Sequence, residues 1–236
     1  MKIVRALWGR RLEFHYSKEI PSKPMFDEVV YVWGRVNYEY LTKLGYNCRY
    51  QNDSLEQTFV YKLQALDLAH REFGEILFLD WDIKTPLLLD EILQLKFPNP
   101  CMPLYSYPKN YTFPGMEEKV KEDIVKYSWN LRDTDVLPNA CLIYFRDFNL
   151  GKELIDIHNK YNFSTLIEEF AFYVWTNSTL DEYIDKYDCP HMYGRESDQT
   201  FPKWTIVDGK PVNIKQKIIE KLNNYIGPKE SKFIHY

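Results

Sequence analysis

The sequence predicts an α/β fold, a mostly parallel central sheet flanked by helices. Three observations carry that expectation. In the first third of the chain, short segments rich in β-branched and aromatic residues alternate with segments of helical periodicity. Residues 76–79 (ILFL) are apolar without alternation, as a strand buried on both faces requires. The 236 residues contain no internal repeat, low-complexity tract or clear linker, so one domain over 1–236 is the simplest organisation.

Residues 2–8 (KIVRALW) read as the first strand and 28–33 (EVVYVW) as the second. Residues 36–44 follow as a helix, and Gly45 stands where a helix C-terminus calls for a positive φ. Residues 47–52 supply a third strand. Asp53 or Ser54 is expected to cap the next helix, because Gln57 lies three residues after Ser54. Leu63, Leu66 and Ala69 or His70 mark one face of that helix as far as Phe73, and Gly74 ends it. The stretch 75–85 (EILFLDWDIKT) then gives the fourth strand. Beyond it the pattern loosens. Five prolines and Gly115 crowd residues 98–115 around a candidate strand at 102–107. Residues 116–129, 151–161, 166–175 and 214–225 read as helices, 141–146 (CLIYFR) as a strand and 188–201 as a loop. The end, 232–236 (KFIHY), is short and strand-like.

The formal charge of −4 argues against a generally basic nucleic-acid binder. The charge is uneven. Residues 203–232 hold seven lysines against Asp208, Glu220 and Glu230, a local +4 that leaves −8 elsewhere. That face suits an anionic partner, or is simply a solvated helix surface. The four cysteines, Cys48, Cys101, Cys141 and Cys189, have no CxxC or metal-ligand spacing and read as reduced thiols of a cytosolic protein. No apolar run approaches the roughly 18 residues of a membrane span. The opening MKIVRALWGRR meets charge too early for a secretory signal. A soluble, cytoplasmic protein is therefore expected.

The fourth strand ends in Asp80-Trp81-Asp82. In open parallel sheets, ligands bind beyond the carboxyl ends of the strands. Residues i and i+2 on a strand share a face, so both carboxylates can hold one cation while Trp81 turns to the core. Mg²⁺ and Mn²⁺ take oxygen ligands and often bind through one or two carboxylates plus substrate phosphates. Such a metal can neutralise a diphosphate leaving group. An exposed strand end, or a cap for residues 84–89, is the alternative.

This arrangement resembles the Asp-x-Asp motif of GT-A-fold glycosyltransferases, Rossmann-like enzymes that use nucleotide-diphosphate sugars. The resemblance takes in VVYVWGRVNYEYLTKLGY, YKLQALDLAHREFGEILFLDWDI, PNACLIYF, IEEFAFYVW and the final FIHY, in that order. It implies a nucleotide-binding half over about residues 1–100 and an acceptor half over about 101–236. It implies Mn²⁺ or Mg²⁺ at Asp80 and Asp82, completed by the C-terminal His235, with His191 in CPHMYGR as the fallback. Lys62, on the helix leading into the acidic strand, is implied to reach the nucleotide or phosphates. Asn139 is implied to face the donor sugar, and Glu168 and Glu169 to stand beside the acceptor. Similar small enzymes occur in bacterial polysaccharide loci and in phages, where some decorate hydroxymethylated DNA bases. The acceptor is therefore expected to be a saccharide or hydroxymethylated DNA.

The residues bear further readings of their own. Arg5, flanked by Val4 and Ala6, needs a partner; phosphate or base is one candidate, and Trp8 near it is a further nucleotide contact. The Asn139 amide can both donate to and accept from a sugar hydroxyl, or serve a turn. Thr165 and Glu168 fit a capping box, so Glu169 is preferred as the catalytic base for the acceptor hydroxyl. Arg195 can clamp phosphates bidentately. No glycine-rich phosphate loop is present, which disfavours dinucleotide and P-loop readings. Two rivals remain. Haloacid-dehalogenase-like phosphatases also place Asp-x-Asp after an apolar strand, but on the first strand, and here Thr85 comes one place late. A non-catalytic binding module on the same fold is the other.

Overall fold

The computed structural model describes residues 1–10, 19–85, 87–106, 136–163, 167–189, 192–193 and 233–235. In chain order the N-terminal elements are β1 (Lys2–Leu7), β2 (Val29–Trp33), α1 (Arg35–Lys43), β3 (Asn47–Asn52), α2 (Val60–Phe73) and β4 (Ile76–Leu79). There follow β5 (Ile83–Lys84), α3 (Leu89–Leu93), β6 (Leu104–Ser106), β7 (Val136–Pro138) and β8 (Leu142–Phe145). The last are α4 (Leu150–Tyr161), α5 (Ile167–Thr176), α6 (Leu180–Lys186), β9 (Met192–Tyr193) and β10 (Phe233–His235). The helices expected at 116–129 and 214–225, and the lysine-rich stretch 203–232, lie outside the described residues.

Five strands form the central sheet in the order β3-β2-β1-β4-β8. The first four run parallel, and β8 pairs antiparallel with β4, Leu79 opposite Leu142. All four residues of β4 are buried, which explains its unbroken apolar run. The main core lies between this sheet and α2, α4 and α5; a smaller cluster around Val30, Val32, Leu41 and Trp81 covers its other side. β6 and β7 form a separate two-stranded ladder. All four cysteines are free thiols. No helix among the described residues is long and apolar enough to cross a membrane.

Three local departures from the sequence expectation have physical causes. The helix expected after Ser54 begins only at Val60. The Asn52 side chain accepts from the Ser54 N–H, and Ser54 Oγ from the Glu56 N–H. These side chains stabilise turns in competition with a helix. Second, α6 was unmarked by apolar periodicity, but Thr179 and Glu182 form a reciprocal capping box at its start. Third, β4 stops at Leu79: the Ile83 N–H donates to the Asp80 carbonyl at 3.2 Å, closing a turn over Asp80–Ile83. Asp80 and Asp82 therefore do not sit on a continuing strand, and the argument that i and i+2 share a strand face does not apply to them.

α2 reaches the site because α4 packs closely against it. A Cβ on Gly151 would collide with the backbone of Leu66 and Asp67. Beside that contact, the Asn149 amide donates to Asp67 at 2.6 Å while its oxygen caps α4.

Candidate functional site

At the carboxyl end of β4, four elements bring charged groups together. Lys62 projects from α2 and is 2% exposed. Its Nζ lies 2.9 Å from Asp80 Oδ2, 3.0 Å from Glu168 Oε1 and 3.3 Å from the Ala140 carbonyl, so all three of its donors are engaged. It also lies over the Phe78 ring. Burial alone lowers the pKa of an ammonium, but the Asp80 and Glu168 carboxylates outweigh it and hold Lys62 above its ordinary value. Its amine is thus spent on protein groups in this structure and is not extended toward a nucleotide.

Glu168 and Glu169 open α5, both buried. Burial pushes the Glu168 carboxyl upward, and Lys62 opposes the shift. Thr165, its expected capping partner, lies outside the described residues, and the Glu168 side chain turns to Lys62. Glu169 Oε1 accepts the Ala140 N–H at 3.3 Å. Its carboxyl is raised to about 8, by burial first and then by the negative charge of Glu168. That shift favours the neutral acid on Glu169 over the carboxylate. The Ala140 peptide thus serves Lys62 with its carbonyl and Glu169 with its N–H. No side-chain signal in the sequence marks a backbone contact of that kind.

Arg5 finds its partner inside the protein. Its Nε donates to Glu28 at 2.7 Å, and both side chains are almost wholly buried. Its Nη1 donates to the Asp80 carbonyl, and its guanidinium lies over the Trp81 ring. Arg5 therefore braces the Asp80–Ile83 turn from below and is not directed at a phosphate. Glu28, absent from the candidates above, was detectable on the rule that a buried arginine needs a carboxylate. Trp8 is 1% exposed and packs edge-on against Phe59, a core position. Trp81 is buried and donates its indole N–H to the Ala6 carbonyl, as expected of a core residue.

Asn139 is half-buried. Its N–H donates to the Pro103 carbonyl and its Oδ1 accepts from the Cys141 N–H, so the turn role is realised. The Asp80 N–H donates to the Cys141 carbonyl, tying the acidic turn to the same loop. His235 arrives through β10, which pairs antiparallel with β5: His235 stands opposite Ile83 and Ile234 opposite Lys84. The chain end thus meets the segment directly after Asp82. His191 and Arg195 lie outside the described residues.

Among the described residues, no three His, Cys, Asp or Glu side chains form a ready metal cage. Asp80 and Asp82 lie on one turn, and carboxylate oxygens are the donors that a hard divalent cation takes. Asp80 retains 27% side-chain exposure and offers Lys62 only Oδ2, so these residues fit such an ion.

No protein-family model matches the sequence, and no curated protein sequence matches it. Solved structures do. Mouse xyloside xylosyltransferase 1 superposes with a TM-score of 0.51 at 11% identity, over 100% of this chain and 97% of that one. The galactosyltransferase LgtC, solved with donor and acceptor sugar analogues, gives 0.50 at 11%, over 100% and 87%. The bifunctional glycosyltransferase WbbM gives 0.50 at 12%, and this chain spans 45% of its length. At such identities the likeness concerns architecture alone: a mostly parallel sheet with helices on its faces. The chain has the GT-A fold of these glycosyltransferases.

Proposed function

We propose that the protein is a metal-dependent glycosyltransferase that moves a sugar from a nucleotide-diphosphate donor to a hydroxyl acceptor. The observation that carries this reading is the meeting of Lys62, Asp80, Glu168 and Glu169 at the carboxyl end of β4, with β10 bringing His235 beside Asp82. Ligands of open α/β sheets bind at that edge. A fold alone does not establish a reaction, and here the fold and the charged centre agree.

On this reading Asp80, Asp82 and His235 hold Mn²⁺ or Mg²⁺. When bound, the ion supplies positive charge against the diphosphate that leaves. Arg5 fixes the turn from which the aspartates project. Glu168 is the member of the acidic pair that contacts the Lys62 ammonium. It places negative charge near the anomeric carbon, where positive charge develops, and can take the acceptor proton. Asn139 faces the sugar, Arg195 contributes to the phosphate clamp and Trp8 backs the nucleotide side. The N-terminal half grips the nucleotide and the C-terminal half shapes the acceptor cleft, within one domain and in the cytoplasm. The fold of the glycosyltransferases removes support from the phosphatase reading. The binding-module reading differs from ours in predicting no turnover.

The acceptor is proposed to be a saccharide hydroxyl, with the hydroxymethyl group of modified DNA as the other class to test. Only the lysines of residues 203–232 speak for DNA. The experiment is thermal unfolding with Mn²⁺ and a panel of nucleoside diphosphates and their sugars, followed by transfer assays on oligosaccharides and hydroxymethylated DNA. Metal-dependent stabilisation and sugar transfer are expected. Stabilisation without turnover on any acceptor would favour a binding module.

A further inference from the structure

Glu168 and Glu169 are neighbours in sequence but meet different partners. Glu168 contacts the Lys62 ammonium at 3.0 Å, whereas Glu169 receives one backbone N–H, from Ala140. The second oxygen of each carboxyl is buried and accepts no hydrogen bond among the described residues. A buried carboxylate without a cation in contact is costly, and two adjacent ones repel. One proton relieves both penalties. It belongs on Glu169, because Glu168 has the ammonium.

We propose that Glu169 is a positioning residue that works as a neutral carboxylic acid: by keeping its proton it leaves Lys62 to Asp80 and Glu168, and so holds Asp80 at the donor end of the site. The proposal refines the glycosyltransferase reading and rests on it for its functional consequence. The groups around Glu169 are Lys62 from α2, Glu168 on α5 itself, the Ala140 N–H, and Tyr183 on α6, whose hydroxyl donates to the Met102 carbonyl. Asp80 acts on the same cluster through Lys62. If Glu169 loses its proton to solvent, a second carboxylate competes for an ammonium whose three donors are already engaged. The contact given up first is that with Asp80, whose side chain is 27% exposed and which water can compensate, while Glu168 is 2% exposed.

The sign of the pH effect follows. A carboxyl raised from 4.5 to about 8 binds its proton more tightly in the folded state. Stability therefore falls as pH rises from 4.5 toward 8 and levels off above that. The test compares the wild type with Glu169→Gln, which is permanently neutral and nearly the same shape. Infrared difference spectra between pH 6 and pH 9 should contain the loss of a protonated-carboxyl band, and Glu169→Gln should lack it. Urea unfolding should give a stability decline between pH 6 and 8 that the variant reduces. With an active donor, wild-type turnover should fall about tenfold per pH unit above 8, and the variant should lose that alkaline limb. An infrared change unaltered by the substitution, or equal pH slopes of stability in the two proteins, would overturn the proposal. Absence of turnover with every donor would count against the glycosyltransferase reading, while the infrared and unfolding measurements would still decide the state of Glu169.

Discussion

The Lys62 ammonium and the Asp80 carboxylate, 18 residues apart in sequence, meet at 2.9 Å where β4 gives way to the acidic turn. The same ammonium reaches Glu168 on α5. One side chain thus links the N-terminal half of the chain to the C-terminal half.

Replacing Lys62 by Met should strip the compensating charge from the buried Glu168 carboxylate. Removing one partner of a buried pair costs about 3–5 kcal/mol. The Asp80 share is smaller, because that side chain is partly solvated. Urea unfolding of Lys62→Met and of Lys62→Met/Glu168→Gln measures this: the double variant should recover part of the loss. Equal stabilities of the two variants would mean that the pair is not coupled.

Asp82→Asn should abolish metal-dependent stabilisation by nucleoside diphosphates. Asp80→Asn should lose the same response and also some stability, because Asp80 pairs with Lys62. Thermal unfolding with and without Mn²⁺ separates the two effects. A metal response that survives in both variants would remove these aspartates from the metal site.

Gly151→Ala should destabilise through overpacking, since the new methyl group meets the backbone of Leu66 and Asp67 and α2 must move away from α4. A cost of about 1–3 kcal/mol is expected by urea unfolding. Because α2 carries Lys62, donor binding should weaken as well. A fully stable Gly151→Ala protein would show that the two helices have slack.

β1, β2 and β4 were legible because they are buried on both faces, and burial writes apolar runs: β1 and β2 were placed to within a residue of their ends, and β4 at its start. Asp80, Lys62, Glu168 and Glu169 were all picked out, and they converge. Their contacts were not legible. Arg5 and Lys62 each find carboxylates contributed by distant elements, and pairing across such distances has no period to read. The acidic turn was mistaken for strand because the Ile83-to-Asp80 hydrogen bond that ends the strand is a backbone feature. The short elements α3, α6, β5 and β9 carry too few residues for a pattern, and they depend on pairing or capping partners.

The most direct measurement is release of nucleoside diphosphate from a panel of nucleotide sugars in the presence of Mn²⁺, with saccharide and hydroxymethylated-DNA acceptors supplied in parallel. At least one donor should be turned over, and the activity should disappear both with chelator and in Asp82→Asn. A folded protein that neither binds nor turns over any donor, with or without metal, would contradict the glycosyltransferase account.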